Sequence, residues 1–104
     1  MSDEWFDSKR LAALAHPIRM HILEATDAEP VSPSEVAVAL GEPLGAVAYH
    51  FRVLHNAGLI ELASTERKRG SIQSFYRPVR PGWAEFLKTL REMVGNDQED
   101  AAKA

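Results

Sequence analysis

Apolar positions recur at helical spacing over most of this 104-residue chain and switch to an extended pattern in one stretch. The helical period is clearest between Val31 and Gly58. Val36, Ala39 and Leu40 form one stripe; Val47, Phe51 and Leu54, at i, i+4 and i+7, form a second. The end signals agree with this reading. Ser32 precedes Pro33 and is followed three residues later by Glu35, the spacing of a capping box, with Val31 and Val36 placed for a hydrophobic staple. Gly41 readily takes the positive φ that ends a helix. A second helix is predicted from about Pro43 to Ala57, closed by Gly58, with Leu59 in position for the apolar contact of a Schellman ending.

After Gly58 the period changes. LIELAS (59–64) and SIQSFYRPV (71–79) read as strands, and TERKRGS between them reads as a turn carrying Arg67, Lys68 and Arg69 at its tip, with Gly70 as turn residue. Upstream, a helix is expected from about Asp7 to Ala15, with Leu11 and Leu14 apolar and Trp5 and Phe6 extending its face. Pro17 opens another, in which Ile18, Ile22 and Leu23 point inward. Asp27 to Pro30 reads as a loop, and Val31 as a very short strand beside the hairpin. Pro78, Pro81 and Gly82 punctuate the chain before a last helix from about Trp83 to Val94, ended by Gly95 and Asn96. The tail DQEDAAKA is polar and expected to be disordered.

Two short helices joined by a tight turn and followed by a basic hairpin are the layout of a winged helix-turn-helix. The expected class is mainly α (α+β): one domain over residues 1–96, with helices at both ends for dimerisation, then the tail 97–104. In this layout the helix at 43–57 enters the major groove and the hairpin is a wing along the phosphates. The outward positions Leu44, Gly45, Ala46, Ala48, Tyr49 and Arg52 are then candidate DNA contacts, with Arg67, Lys68 and Arg69 on the wing. Arg52 suits a guanine edge, a phosphate or a surface salt bridge; Tyr49 suits a phosphate or a thymine methyl. Ser32 and Ser34, at the entry to the motif, are candidate phosphate contacts.

Net charge is −3, which at first argues against nucleic acid, but its distribution reverses the argument. Residues 42–80 carry six basic side chains against three acidic; residues 1–41 carry three against seven, and residues 81–104 three against five. A basic face on an acidic body fits a protein that meets DNA in one orientation.

The terminal stripe of Trp83, Phe86, Leu87, Leu90 and Val94 needs burial that a small domain hardly supplies. A second copy is the simplest cover, with Leu11 and Leu14 contributing. Trp5 and Trp83 are also candidates for lining a ligand pocket, although aromatic residues at helical spacing more often serve a core or an interface.

Other chemistry is thinly represented. There is no cysteine, hence no disulfide, thiolate metal site or cysteine nucleophile. His16 and His21, like His50 and His55, are spaced i, i+5 and diverge on a helix, so no metal or other cofactor is expected. No nucleophile elbow or phosphate-cradling glycine loop is present, and a non-enzymatic role follows. No signal peptide or membrane-length apolar run is visible, which makes the cytoplasm the expected location.

The stretches LAALAHPIRMHIL (11–23), SPSEVAVALG (32–41), VAYHFRVLHNAGLIEL (47–62) and RGSIQSFYR (69–77) together resemble the ArsR-like family of winged helix-turn-helix transcription regulators. The A-x-P-x-R element stands here as Ala15-His16-Pro17-Ile18-Arg19. The resemblance implies a homodimer, built from the first and last helices, that binds a partly palindromic double-stranded operator and usually represses transcription, sometimes under a small-molecule effector. Two departures matter. Where metal-sensing relatives carry Cys-x-Cys this chain has Glu35-Val36-Ala37-Val38, so metal sensing is not implied. The recognition helix opens on Leu44-Gly45-Ala46, where polar side chains are usual. That apolar face also fits the alternative of a winged-helix module that binds protein instead of DNA; the basic wing argues for DNA.

Overall fold

The computed structural model describes the backbone of residues 4–103 and the side chains of residues 4–95. Five helices and one hairpin follow in order: α1 (Ser8–Leu14), α2 (Pro17–Ala28), α3 (Pro33–Leu40), α4 (Leu44–Asn56), β1 (Ile60–Lys68), β2 (Ser71–Pro78) and α5 (Trp83–Lys103).

The helix-turn-helix forms because its ends are written locally. Ser32 Oγ accepts from the Glu35 N–H at 3.2 Å, and the Glu35 carboxylate accepts from the Ser32 N–H at 3.0 Å, closing the box reciprocally. Gly41 ends α3 with φ of 66°. At the end of α4 the Leu59 N–H reaches the Leu54 carbonyl and the Gly58 N–H reaches that of His55, both at 3.0 Å, which is the bond pair of a Schellman motif. Gly58 has φ of 76°, and a Cβ there would stand 2.9 Å from an Arg10 guanidinium nitrogen, so both conformation and space call for glycine.

Ile22 and Leu23 of α2, Val36 and Ala37 of α3, and Val47, Phe51 and Leu54 of α4 meet Leu59, Ile60, Trp83 and Leu87 in one core. Ala37 takes the inward place the sequence pattern gives to Ala39, which is exposed. The wing is an antiparallel pair running from Ile60 opposite Pro78 to Lys68 opposite Ser71, with a bulge between Leu62 and Ser64. Val31 pairs with Tyr76 as an isolated bridge, the short strand expected beside the hairpin.

Three features depart from the sequence reading. Helix α2 continues to Ala28, through the first part of the expected loop, and Asp27 uses its carboxylate to accept from the N–H groups of Gly82 (2.8 Å) and Ala84 (3.3 Å), capping α5 from 55 residues away. Helix α5 does not end at Gly95: it runs to Lys103, because Gly95 keeps negative φ and no capping turn forms there. The tail expected to be disordered from residue 97 is thus helical in its backbone as far as Lys103; its side chains, and Ala104, lie outside the described residues. Third, the α5 stripe divides. Trp83 and Leu87 are buried in the domain's own core, because α5 packs on α2 at its start. Phe86, Leu90 and Val94 stay exposed, joined by Met93, and Leu11 of α1 is exposed as well. Leu14 is partly buried against the core. Trp83 and Leu87, and in part Leu14, are thus intramolecular core where the sequence assigns them to an interface.

Candidate nucleic-acid interface

Helix α4 offers its outer face and buries its inner one. Leu44, Gly45, Ala46, Tyr49 and Arg52 are exposed, Ala48 is half-buried, and Val47, His50, Phe51 and Leu54 are buried. The first two outward-facing turns present hydrogen-bonding side-chain groups only at the Tyr49 hydroxyl and Arg52.

The wing stands beside this face. A cleft of about 370 Å³ is lined by Ser32, Pro33, Ser34 and Leu44 on one side and by Ser71, Ile72, Gln73, Ser74 and Tyr76 of β2 on the other. Arg67, Lys68 and Arg69 are exposed, and neither they nor Arg52 pair with a carboxylate among the described residues. By contrast, Arg77 is held by Glu61 at 2.8 Å. Arg69 and Gly70 form the two-residue turn with φ of 52° and 82°, the signs of a type I′ hairpin. Asn or Gly would occupy the Arg69 position with less strain. A long cation is held there instead, in the conformation that places it at the tip.

Ser34 and Ser32 both line this cleft, but they are placed differently. Ser32 is 1% exposed and its hydroxyl is committed to the capping box. Its role is to fix the start of α3.

Behind α4 lies a polar bracket the sequence pattern did not disclose. His16 caps α2, its Nδ1 accepting from the Ile18 N–H at 3.1 Å. Arg19 Nε donates to the Ala13 carbonyl at 2.7 Å, satisfying a carbonyl in the last turn of α1, and its Nη1 lies 3.3 Å from His50 Nδ1. The His16 and His50 rings stand 4.2 Å apart. Burial, then the neighbouring His16 and Arg19, lowers the His50 pKa below 6.5, with Glu42 acting in the opposite sense. The residues of the Ala15–Arg19 element thus join α1, α2 and α4. The histidines that meet are His16 and His50, one from each close-spaced pair, and among the described residues no three metal-ligating side chains gather. Among the same residues no helix is long and apolar enough to cross a membrane.

A family model described as a helix-turn-helix domain matches residues 14–63. No curated protein matches the chain. Solved structures do. Rv0081 of Mycobacterium tuberculosis is 23% identical with a TM-score of 0.67, over 97% of this chain and 99% of that one. NolR of Sinorhizobium fredii is 25% identical with a TM-score of 0.63, over 85% and 83%. Mb0332 of Mycobacterium bovis, described as a homodimeric winged helix-turn-helix DNA-binding domain and a possible ArsR-family transcriptional regulator, is 24% identical with a TM-score of 0.62, over 86% and 78%.

Proposed function

We propose that this chain, an ArsR-like winged helix-turn-helix protein, acts as a homodimer that binds a partly palindromic DNA operator and regulates transcription, as a repressor. The observation that carries the reading is the pairing of an exposed α4 face with an adjoining wing whose Arg67, Lys68 and Arg69 have no carboxylate partner among the described residues. Cations of this kind on a projecting hairpin are suited to phosphates. The description of Mb0332 as a homodimeric DNA-binding domain supports the same assembly here. So does the row of exposed apolar side chains on α5, Phe86, Leu90, Met93 and Val94, which a two-fold partner would cover.

Each part then has a role. Residues Leu44 to Arg52 meet base edges, Ser34 and the wing cations hold the backbone, and α1 and α5 set the separation of the two recognition helices. The test is selection of bound fragments from a randomised duplex pool, followed by titration of the enriched site against salt. Binding should weaken steeply with salt, and replacing Arg67, Lys68 and Arg69 with Ala should lower the slope by about 0.9 for each phosphate no longer neutralised. Failure to enrich any site, or a salt slope unchanged in the triple variant, overturns the assignment.

A further inference from the structure

A second cleft, of about 340 Å³, opens between α1 and the flank of α4. Its lining includes Ala13 and Ala57, both buried and small enough to let a ligand settle close to the helices. Its polar lining comes from three helices: Lys9 of α1, Arg19 of α2, and Tyr49 and Asn56 of α4. Among the described residues, none that lines it is acidic.

The positive charge of this lining is not cancelled. Lys9 is exposed and pairs with no carboxylate among the described residues. Asp7, two residues before it, is engaged with Arg10 at 3.5 Å. Arg19 is held by two neutral groups, the Ala13 carbonyl at 2.7 Å and His50 Nδ1 at 3.3 Å, so it is fixed in place and keeps its charge. Two cations joined by a hydroxyl and a carboxamide select an anion with several acceptor oxygens. The cleft is also continuous with the outer face of α4. Tyr49 belongs to both, Asn56 follows at i+7 on the same stripe, and Arg52, at i+3 from Tyr49, is the adjoining exposed cation.

We propose that this cleft seats a backbone phosphodiester of the DNA, one per protomer, beside the groove that α4 enters. Lys9 and Arg19 hold it by charge, and Tyr49 and Asn56 by hydrogen bonds. The inference rests on the DNA-binding reading and extends its contact surface to α1 and α2, helices otherwise given to dimerisation and to the core.

Lys9 is exposed, so Lys9→Gln should fold as the parent does by circular dichroism. Titrated against salt on the selected operator, it should lower the slope by about 1.8 for the dimer, two phosphates at about 0.9 each, and Lys9→Arg should restore it. Binding to unrelated duplexes should weaken alike, because a phosphate carries no sequence. Uncharged methylphosphonates placed one linkage at a time then locate the contact. One linkage in each half-site should cost the parent affinity and cost Lys9→Gln nothing further, since its charge no longer has a partner there. A parental salt slope in Lys9→Gln overturns the proposal. So do equal methylphosphonate costs in the two proteins at every linkage, the result of a cleft that serves a free phosphorylated compound. Failure to enrich any operator removes the DNA reading and this site with it; a parent that binds its operator without coupling to Lys9 removes this site alone.

Discussion

Arg19 places its Nη1 3.3 Å from Nδ1 of His50, so a residue of the second helix holds the inner face of α4. The contact requires a lone pair on His50 Nδ1, and protonation there would set a cation against a guanidinium.

The consequence is a pH dependence of stability. The folded-state pKa of His50 is lowered, chiefly by burial and then by His16 and Arg19. In mildly acid solution the unfolded chain therefore holds more protons than the folded one, and stability rises with pH. The contribution is complete above the ordinary histidine value of 6.5 and is lost as pH falls from there toward the lowered pKa. Urea midpoints measured from pH 5 to 8 should decline on the acid side of that value. His50→Gln, which keeps an acceptor without the titration, should flatten the decline; an identical profile in the variant would locate the dependence elsewhere.

Neighbouring apolar residues of α5 should behave oppositely. Leu87 is 2% exposed and Leu90 is 44% exposed. Leu87→Ala should cost about 2–5 kcal/mol of folding stability, the range for a truncated core leucine. Leu90→Asp should leave the fold near parental stability, convert dimers to monomers in sedimentation and abolish tight operator binding without altering a DNA contact. A dimeric Leu90→Asp protein would remove α5 from the interface.

Base readout by an apolar helix face should depend on methyl groups. Leu44, Ala46 and Ala48 cannot hydrogen-bond through their side chains, but they match the C5-methyl of thymine in the major groove. Replacing the half-site thymines of a selected operator with deoxyuridine removes only those methyls. Each such methyl removed from the interface should weaken binding roughly fourfold, the value of about one buried CH₂. Unchanged affinity would assign specificity to Arg52, Tyr49 or DNA shape.

Much of this architecture is legible because it is local. The Ser32–Glu35 box, the Gly41 and Gly58 endings and the basic hairpin each depend on residues within a few positions of one another. The rest depends on contacts distant in sequence. Asp27 reads as a loop residue until Gly82 and Ala84 arrive beside it. Spacing alone pairs His16 with His21, whereas folding sets it against His50. The α5 stripe is continuous in sequence and divides only because α2 lies under its first turns; Gly95 signals a helix end that backbone geometry does not enforce. At the candidate site, the outward residues of α4 and the wing cations were readable, while the burial of Ser32 was not.

That burial gives a prediction of its own. Ser32→Ala removes the cap and should destabilise the fold by about 0.5–2 kcal/mol. If its hydroxyl serves only the cap, the salt slope of operator binding should equal that of the parent. A reduced slope in a folded Ser32→Ala protein would return this residue to the DNA surface.

Tyr76 exchanges both backbone hydrogen bonds with Val31, at 2.8 and 3.1 Å, and its ring lies 5.5 Å from that of Phe51 and 5.9 Å from that of His55. The root of the wing is therefore tied by its backbone to the segment before α3 and packed by its ring against α4, so that on the proposed reading the two prongs would work as a caliper of fixed span. A duplex whose grooves depart from that span would engage one prong and miss the other. If the chain binds DNA as proposed, tracts that narrow or stiffen the duplex would thereby be sorted at base pairs outside the contact surface.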